Sequence, residues 1–147
     1  MSIQDRLSEE MKAAMRARDS LRLGTIRMAR TALNNAEIEA RQALDDAAAI
    51  KVLSTLVKQR REAAEAYRAT RPELADKEEQ ELLVLQEFLP AQLSEAELEE
   101  MIAKAIAESG ASSMRDMGAV MKLVTPQTTG RADGKLVSEI VRKQLAG

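Results

Sequence analysis

Between Pro126 and Val141 the chain reads PQTTGRADGKLVSEIV: two glycines, a lysine and the start of an apolar-periodic segment, residue types able to cradle a phosphate. A nucleotide-hydrolysing loop needs four residues between its first glycine and the Gly-Lys pair, a hydroxyl after the lysine for magnesium, and a preceding strand. Here three residues separate Gly130 from Gly134, Leu136 stands where the hydroxyl belongs, and no strand pattern precedes. That excludes the hydrolytic loop. What remains is a turn at a helix start, with Gly130 as turn residue and Asp133 as N-cap. Arg131 and Lys135 beside it, with free N–H groups, can meet one backbone phosphate.

Other chemistry is restricted by composition. With no cysteine and no histidine, the chain offers no thiolate nucleophile, imidazole base, disulfide or zinc site built from nitrogen and sulfur. Ser109–Ser113, SGASS, lacks the strand-turn-helix setting of a nucleophilic serine and reads as a helix-ending Gly110 followed by capping serines. The acidic run Glu95, Glu97, Glu99 and Glu100 suits the positive end of a helix, and nothing pairs it into a metal cage. No cofactor and no metal are expected.

Arg27, Arg30, Asn34 and Arg41 share a helical stripe able to track a nucleic-acid backbone. Glu37 can pair with Arg41 four residues on, so the stripe also reads as an ordinary solvated face, and no aromatics interleave it for base stacking. Arg60 is different, because it projects among Leu53, Leu56, Val57, Ala64 and Tyr67. A buried guanidinium needs a partner, and a hairpin turning near Thr70 brings Glu78, or Glu81, to matching height as a structural ion pair.

The elements that must position these groups are helical. Straight-chain and small residues dominate, β-branched residues never gather into an alternating run, and Tyr67 and Phe88 are the sole aromatics, leaving aliphatics and methionine to fill the core. A first helix follows Ser2, with Ile3, Leu7, Met11, Ala14 and Met15 on one face. A second begins at Asp19 or Ser20, with Leu21, Met28, Ala29, Leu33 and Ala36 apolar. A third runs from about Asp46 to Ala69, with Ile50, Leu53, Val57 and Tyr67 inward. The Arg71-Pro72 pair ends it and starts a fourth, which closes before Pro90. Ser94 and Glu97 form a capping box for a fifth helix ending at Gly110. A sixth, capped by Ser112 or Ser113, places Met114, Met117, Val120 and Met121 inward and stops by Pro126. A seventh starts near Asp133 and buries Leu136, Val137, Ile140 and Val141. The expected fold is all-α: an N-terminal antiparallel helical hairpin or bundle over 1–92 and a small three-helix domain over 93–147.

Charge is uneven along the chain. Residues 1–71 carry 14 basic and 10 acidic side chains, 72–110 carry 2 and 11, and 111–147 carry 6 and 3. The N-terminus lacks an apolar signal core and no apolar run approaches the roughly 20 residues that span a bilayer, so a cytoplasmic protein without a membrane partner is expected.

The segments IRMARTALNNAEIE, VKQRREAAEAYRATRPELADKEEQELLVLQEFLPAQLSEAELE and MGAVMKLVTPQTTGRADGKLVSEIVRKQL resemble the YqeY-like proteins over essentially the whole chain. The last segment is also similar to the helical tail domain of the B subunit of the tRNA-dependent aspartyl/glutamyl amidotransferase. That pattern falls here on Gly118, Val120, Met121 and Lys122, then Gly130 to Asp133, then Val137, with Asp133 replacing the tail's usual asparagine. The resemblance implies an all-helical fold and a tail that holds tRNA while glutamine-dependent amidation proceeds in other modules. A carbon-nitrogen ligase label with glutamine as amido donor comes with the family, although no catalytic residue for it is found here. The expectation is an accessory protein binding tRNA or another structured RNA through Lys122, Gly130, Arg131, Lys135, Arg142 and Lys143, with Arg27 and Arg30 contributing. The alternative is a module docking an enzyme or ribosomal protein.

Overall fold

The computed structural model describes all 147 residues, Met1–Gly147. Seven α-helices follow one another without a strand: α1 (Ile3–Ala17), α2 (Ser20–Ala40), α3 (Asp46–Tyr67), α4 (Pro72–Gln86), α5 (Glu95–Ser109), α6 (Met117–Thr128) and α7 (Gly134–Ala146). A 3₁₀ turn, Met114–Asp116, precedes α6. The chain forms two compact units, Met1–Pro90 and Ala91–Gly147.

In the first unit α3 and α4 make an extensive hairpin, α1 packs on α2, and α2 also meets α3 and α4. Leu7, Ile26, Ala29, Leu53, Leu85 and Phe88 close this core with 2% exposure or less, which is why helices with only a partial apolar stripe hold together. Short polar side chains start each of the first three helices: Ser2 with Asp5 on α1, Asp19 on α2 and Asp45 on α3. The first two helices end on Arg18 and Arg41, both in the left-handed region with φ 56° and 57°. Arg22 joins α1 to the residues after α4, 3.0 Å from Glu10 and 2.5 Å from Glu87.

Arg60 is largely enclosed, and its carboxylate partner is Glu81, with Nε 3.5 Å from Oε2. The Glu78 expectation is thereby corrected. Arg60 and Glu81 are equally distant in sequence from the Thr70–Arg71 step, so a hairpin turning there pairs them, the second of the two carboxylates expected, and Glu78 is half-buried elsewhere on α4. Three side chains expected inside face outward instead: Met15 is 50% exposed, Met28 38% and Tyr67 37%. Each sits at a helix end or on the edge of its apolar stripe, where few neighbours remain to cover it.

In the second unit α5, α6 and α7 each pack on the other two, around Leu98, Ile102, Val120, Val124, Val137 and Val141, all at 1% exposure or less. Ser94 and Glu97 form the reciprocal capping box: the Ser94 hydroxyl accepts from the Glu97 N–H at 3.1 Å, and the Glu97 carboxylate accepts from the Ser94 N–H at 3.2 Å. The sixth helix differs from expectation at both ends. Ser113 caps the 3₁₀ turn, which leaves Met114 exposed, and α6 continues through Pro126 to Thr128. Pro126 lies in the last turn, where its missing N–H removes a single ladder bond. The Thr129 hydroxyl then fastens that turn by donating to the Thr125 carbonyl at 2.8 Å. No helix is long and apolar enough to cross a membrane.

Candidate nucleic-acid interface

The Gly130 turn is built around a backbone position that a side chain rarely tolerates. Gly130 has φ 79°, so the chain reverses between α6 and α7 without Cβ strain. Its N–H neighbours are used internally: the Arg131 and Ala132 N–H groups both donate to the Thr128 carbonyl, at 2.8 and 3.1 Å, and the Lys135 N–H donates to the Asp133 carboxylate at 3.2 Å. Gly130 is buried, and its carbonyl accepts from Gln92 Nε2 at 2.8 Å. The Arg131 carbonyl accepts the Leu93 N–H at 2.8 Å, while the Arg131 guanidinium donates through Nε to the Ala91 carbonyl at 3.1 Å.

These contacts make the turn a clasp for the segment leading into α5. The Arg131 charge also acts on Glu97, whose carboxyl is held below the usual range by the Ser94 N–H bond first, then the Ser94 hydroxyl, and to a lesser extent Arg131. Ala91, Gln92 and Glu97 are therefore the turn's working partners, and no local pattern pointed to them because Gln92 lies 38 residues before Gly130 and Ala91 lies 40 before Arg131, with Glu97 a few residues further on.

The remaining cations of this unit are set by helix geometry. Lys135 and Arg142 are exposed and lie seven residues apart on one stripe of α7, about 10 Å along the axis, with Glu139 between them. Lys122 projects from the solvent face of α6. Lys143, also exposed, stands on the adjoining side of α7, at a groove of about 420 Å³ that it shares with Glu95, Glu99 and Glu139. The cations are thus not gathered at the Gly130 turn: Lys135 lies beside it, and Arg142 and Lys143 lie two turns away.

Spatial division also alters the charge reading. Met1–Pro90 carries 15 basic and 16 acidic side chains and Ala91–Gly147 carries 7 and 8, so each unit is close to neutral. The unevenness along the sequence becomes unevenness within the second unit, with acidic α5 against basic α6 and α7. In the first unit Arg27 is exposed, whereas Arg30 is half-buried with Nη1 3.0 Å from the Met11 sulfur. Arg41 is the left-handed cap of α2, so the expected four-residue stripe does not form a continuous row of cations.

Residues 4–145 match the signature of the Yqey-like protein family. The chain belongs to the YqeY-like family. Its relatives include proteins named Altered inheritance of mitochondria protein 41, mitochondrial. That of Pyrenophora tritici-repentis is 31% identical over 143 residues, covering 94% of this chain and 78% of that protein. Those of Vanderwaltozyma polyspora and Eremothecium gossypii are each 36% identical, over 85 and 101 residues, covering 56% and 67% of this chain. The chain spans about half of those two relatives, 46% and 55%.

The relatives' names overturn the cytoplasmic expectation, since they place those proteins in the mitochondrion. The missing apolar signal core was a poor guide to compartment, because mitochondrial targeting segments are basic and amphipathic rather than apolar.

Proposed function

We propose that this family member is a non-catalytic helical accessory protein that holds tRNA or a similarly structured RNA by its phosphates. The reading rests on one observation: the second unit segregates its charges, with Lys122, Lys135 and Arg142 exposed on α6 and α7 and the carboxylates concentrated on α5. Phosphate contacts of this kind position an RNA without reading its sequence. Arg131 and Gly130 support the surface indirectly, by holding the turn that sets the start of α7. Lys143 stands among carboxylates and contributes less. A link to tRNA-dependent amidotransfer would follow from presenting tRNA to an enzyme that performs the chemistry, and the relatives' names supply the mitochondrion as the setting.

Titration of labelled total tRNA at about 50 and 200 mM salt tests this. Three neutralised phosphates predict a log-log salt slope near −2 to −3, hence an affinity loss of roughly 15- to 60-fold over that range. Replacing Lys122, Lys135 and Arg142 together by alanine should remove most of the binding and flatten the slope. Binding indifferent to both changes refutes the assignment.

A further inference from the structure

The first unit contains a methionine sulfur seated on a largely enclosed cation. Met28 Sδ lies 2.7 Å from Nη2 of Arg60, and the same guanidinium has an Nε that is buried without a hydrogen-bond partner, since Glu81 stands 3.5 Å away. The Arg60 side chain is only 11% exposed, so water does little to make up the deficit. A thioether is a weak acceptor, and Arg60 therefore donates into a site that satisfies it poorly. Met28 itself is 38% exposed, within reach of small solutes.

We propose that Met28 is a methionine-oxidation site, whose sulfoxide Arg60 accepts as a ligand. Hydrogen peroxide is the oxidant. The sulfur lone pair attacks one peroxide oxygen and the O–O bond breaks. The departing hydroxide takes the proton of the transferred oxygen and leaves as water. Sulfur is oxidised to sulfoxide and peroxide is reduced.

No oxygen fits between a sulfur and a nitrogen 2.7 Å apart, so the flexible, partly exposed Met28 side chain turns outward and the sulfoxide oxygen takes the sulfur's place against the guanidinium N–H, a charge-assisted hydrogen bond replacing the thioether contact. Sulfoxidation ordinarily disrupts apolar packing by turning a flexible apolar side chain polar. At Met28 the new polar atom meets a donor already in place, so the modification tightens α2 against α3. The step is reversible by enzymes that reduce methionine sulfoxide. Met11, half-buried against Nη1 of Arg30 at 3.0 Å, repeats the arrangement between α1 and α2 in a less accessible position.

Two measurements on the full chain test the proposal. After peroxide treatment of the folded protein, peptide mass spectrometry should find Met28 oxidised at a rate within about threefold of Met15, which is 50% exposed. Met28→Gln, which puts an amide oxygen where the sulfoxide oxygen would lie, should melt about 3 °C or more above Met28→Leu. In an Arg60→Met background that order should vanish or reverse. Equal or lower stability of Met28→Gln relative to Met28→Leu in the parent overturns the proposal, as does a Met28 that stays reduced while Met15 is consumed. If Arg60→Met does not fold, the two single variants and the oxidation rates still decide it.

Discussion

Glu81→Gln removes the charge that faces Arg60 while keeping the side chain's shape. At a separation of 3.5 Å the pair's Coulomb attraction is roughly 5 kcal/mol with an effective dielectric near 20. Desolvating both ions takes back part of that, and breaking one half of a buried pair typically costs about 3–5 kcal/mol. The separation exceeds hydrogen-bond length and the introduced amide retains a carbonyl dipole, so about 2–3 kcal/mol is expected here, somewhat below that range. For a unit of this size that corresponds to a fall in melting temperature on the order of 10–20 °C.

The assay is urea unfolding followed by circular dichroism, with the m-value checked for constancy between variants. Replacing both partners, Arg60→Met with Glu81→Leu, removes the two buried charges together and should leave stability within about 1 kcal/mol of the parent. A Glu81→Gln cost below about 1 kcal/mol would show that Arg60 is not held by this carboxylate. A double variant as unstable as the single one would show that packing, not charge, accounts for the loss.

Arg18 and Arg41 hold positive φ at the ends of α1 and α2, a conformation that costs a residue with a Cβ roughly 1–2 kcal/mol, partly offset for glycine by its unfolded-chain entropy. Arg18→Gly and Arg41→Gly should each stabilise the protein by about 0.5–1 kcal/mol in urea unfolding. The Ser94 box holds the Glu97 carboxyl below its ordinary range, so the stabilisation it carries is present above the unfolded glutamate value and is lost as pH falls through the lower folded one. Ser94→Ala keeps the backbone N–H, the larger cause, and removes the hydroxyl, so it should move the Glu97 titration, followed by carboxyl NMR, part of the way up toward the ordinary glutamate range; an unchanged midpoint would refute the hydroxyl's share.

Much of the secondary structure was legible in single residues. Asp19, Ser94 and Asp133 act within three residues of themselves, by accepting backbone N–H groups, so their effect is written locally. Glycine at Gly110 and Gly130 likewise marks positive φ directly. Pro126 misled because its cost depends on how many ladder bonds follow it, and in a last turn fastened by Thr129 very few do.

The sequence by itself determined an all-helical chain, the helix starts other than that of α6, the turn at Gly130, and a chemistry without imidazole or thiol. Tertiary structure alone decided that Glu81 rather than Glu78 meets Arg60, and that Arg131 clasps Ala91 while Lys143 faces Glu95 and Glu99. It also decided that neither unit carries an appreciable net charge. The physical reason is range. Capping and helical periodicity act over three or four residues, whereas pairing across helices depends on hairpin register, and a shift of one residue in a turn carries a side chain about 100° around its helix.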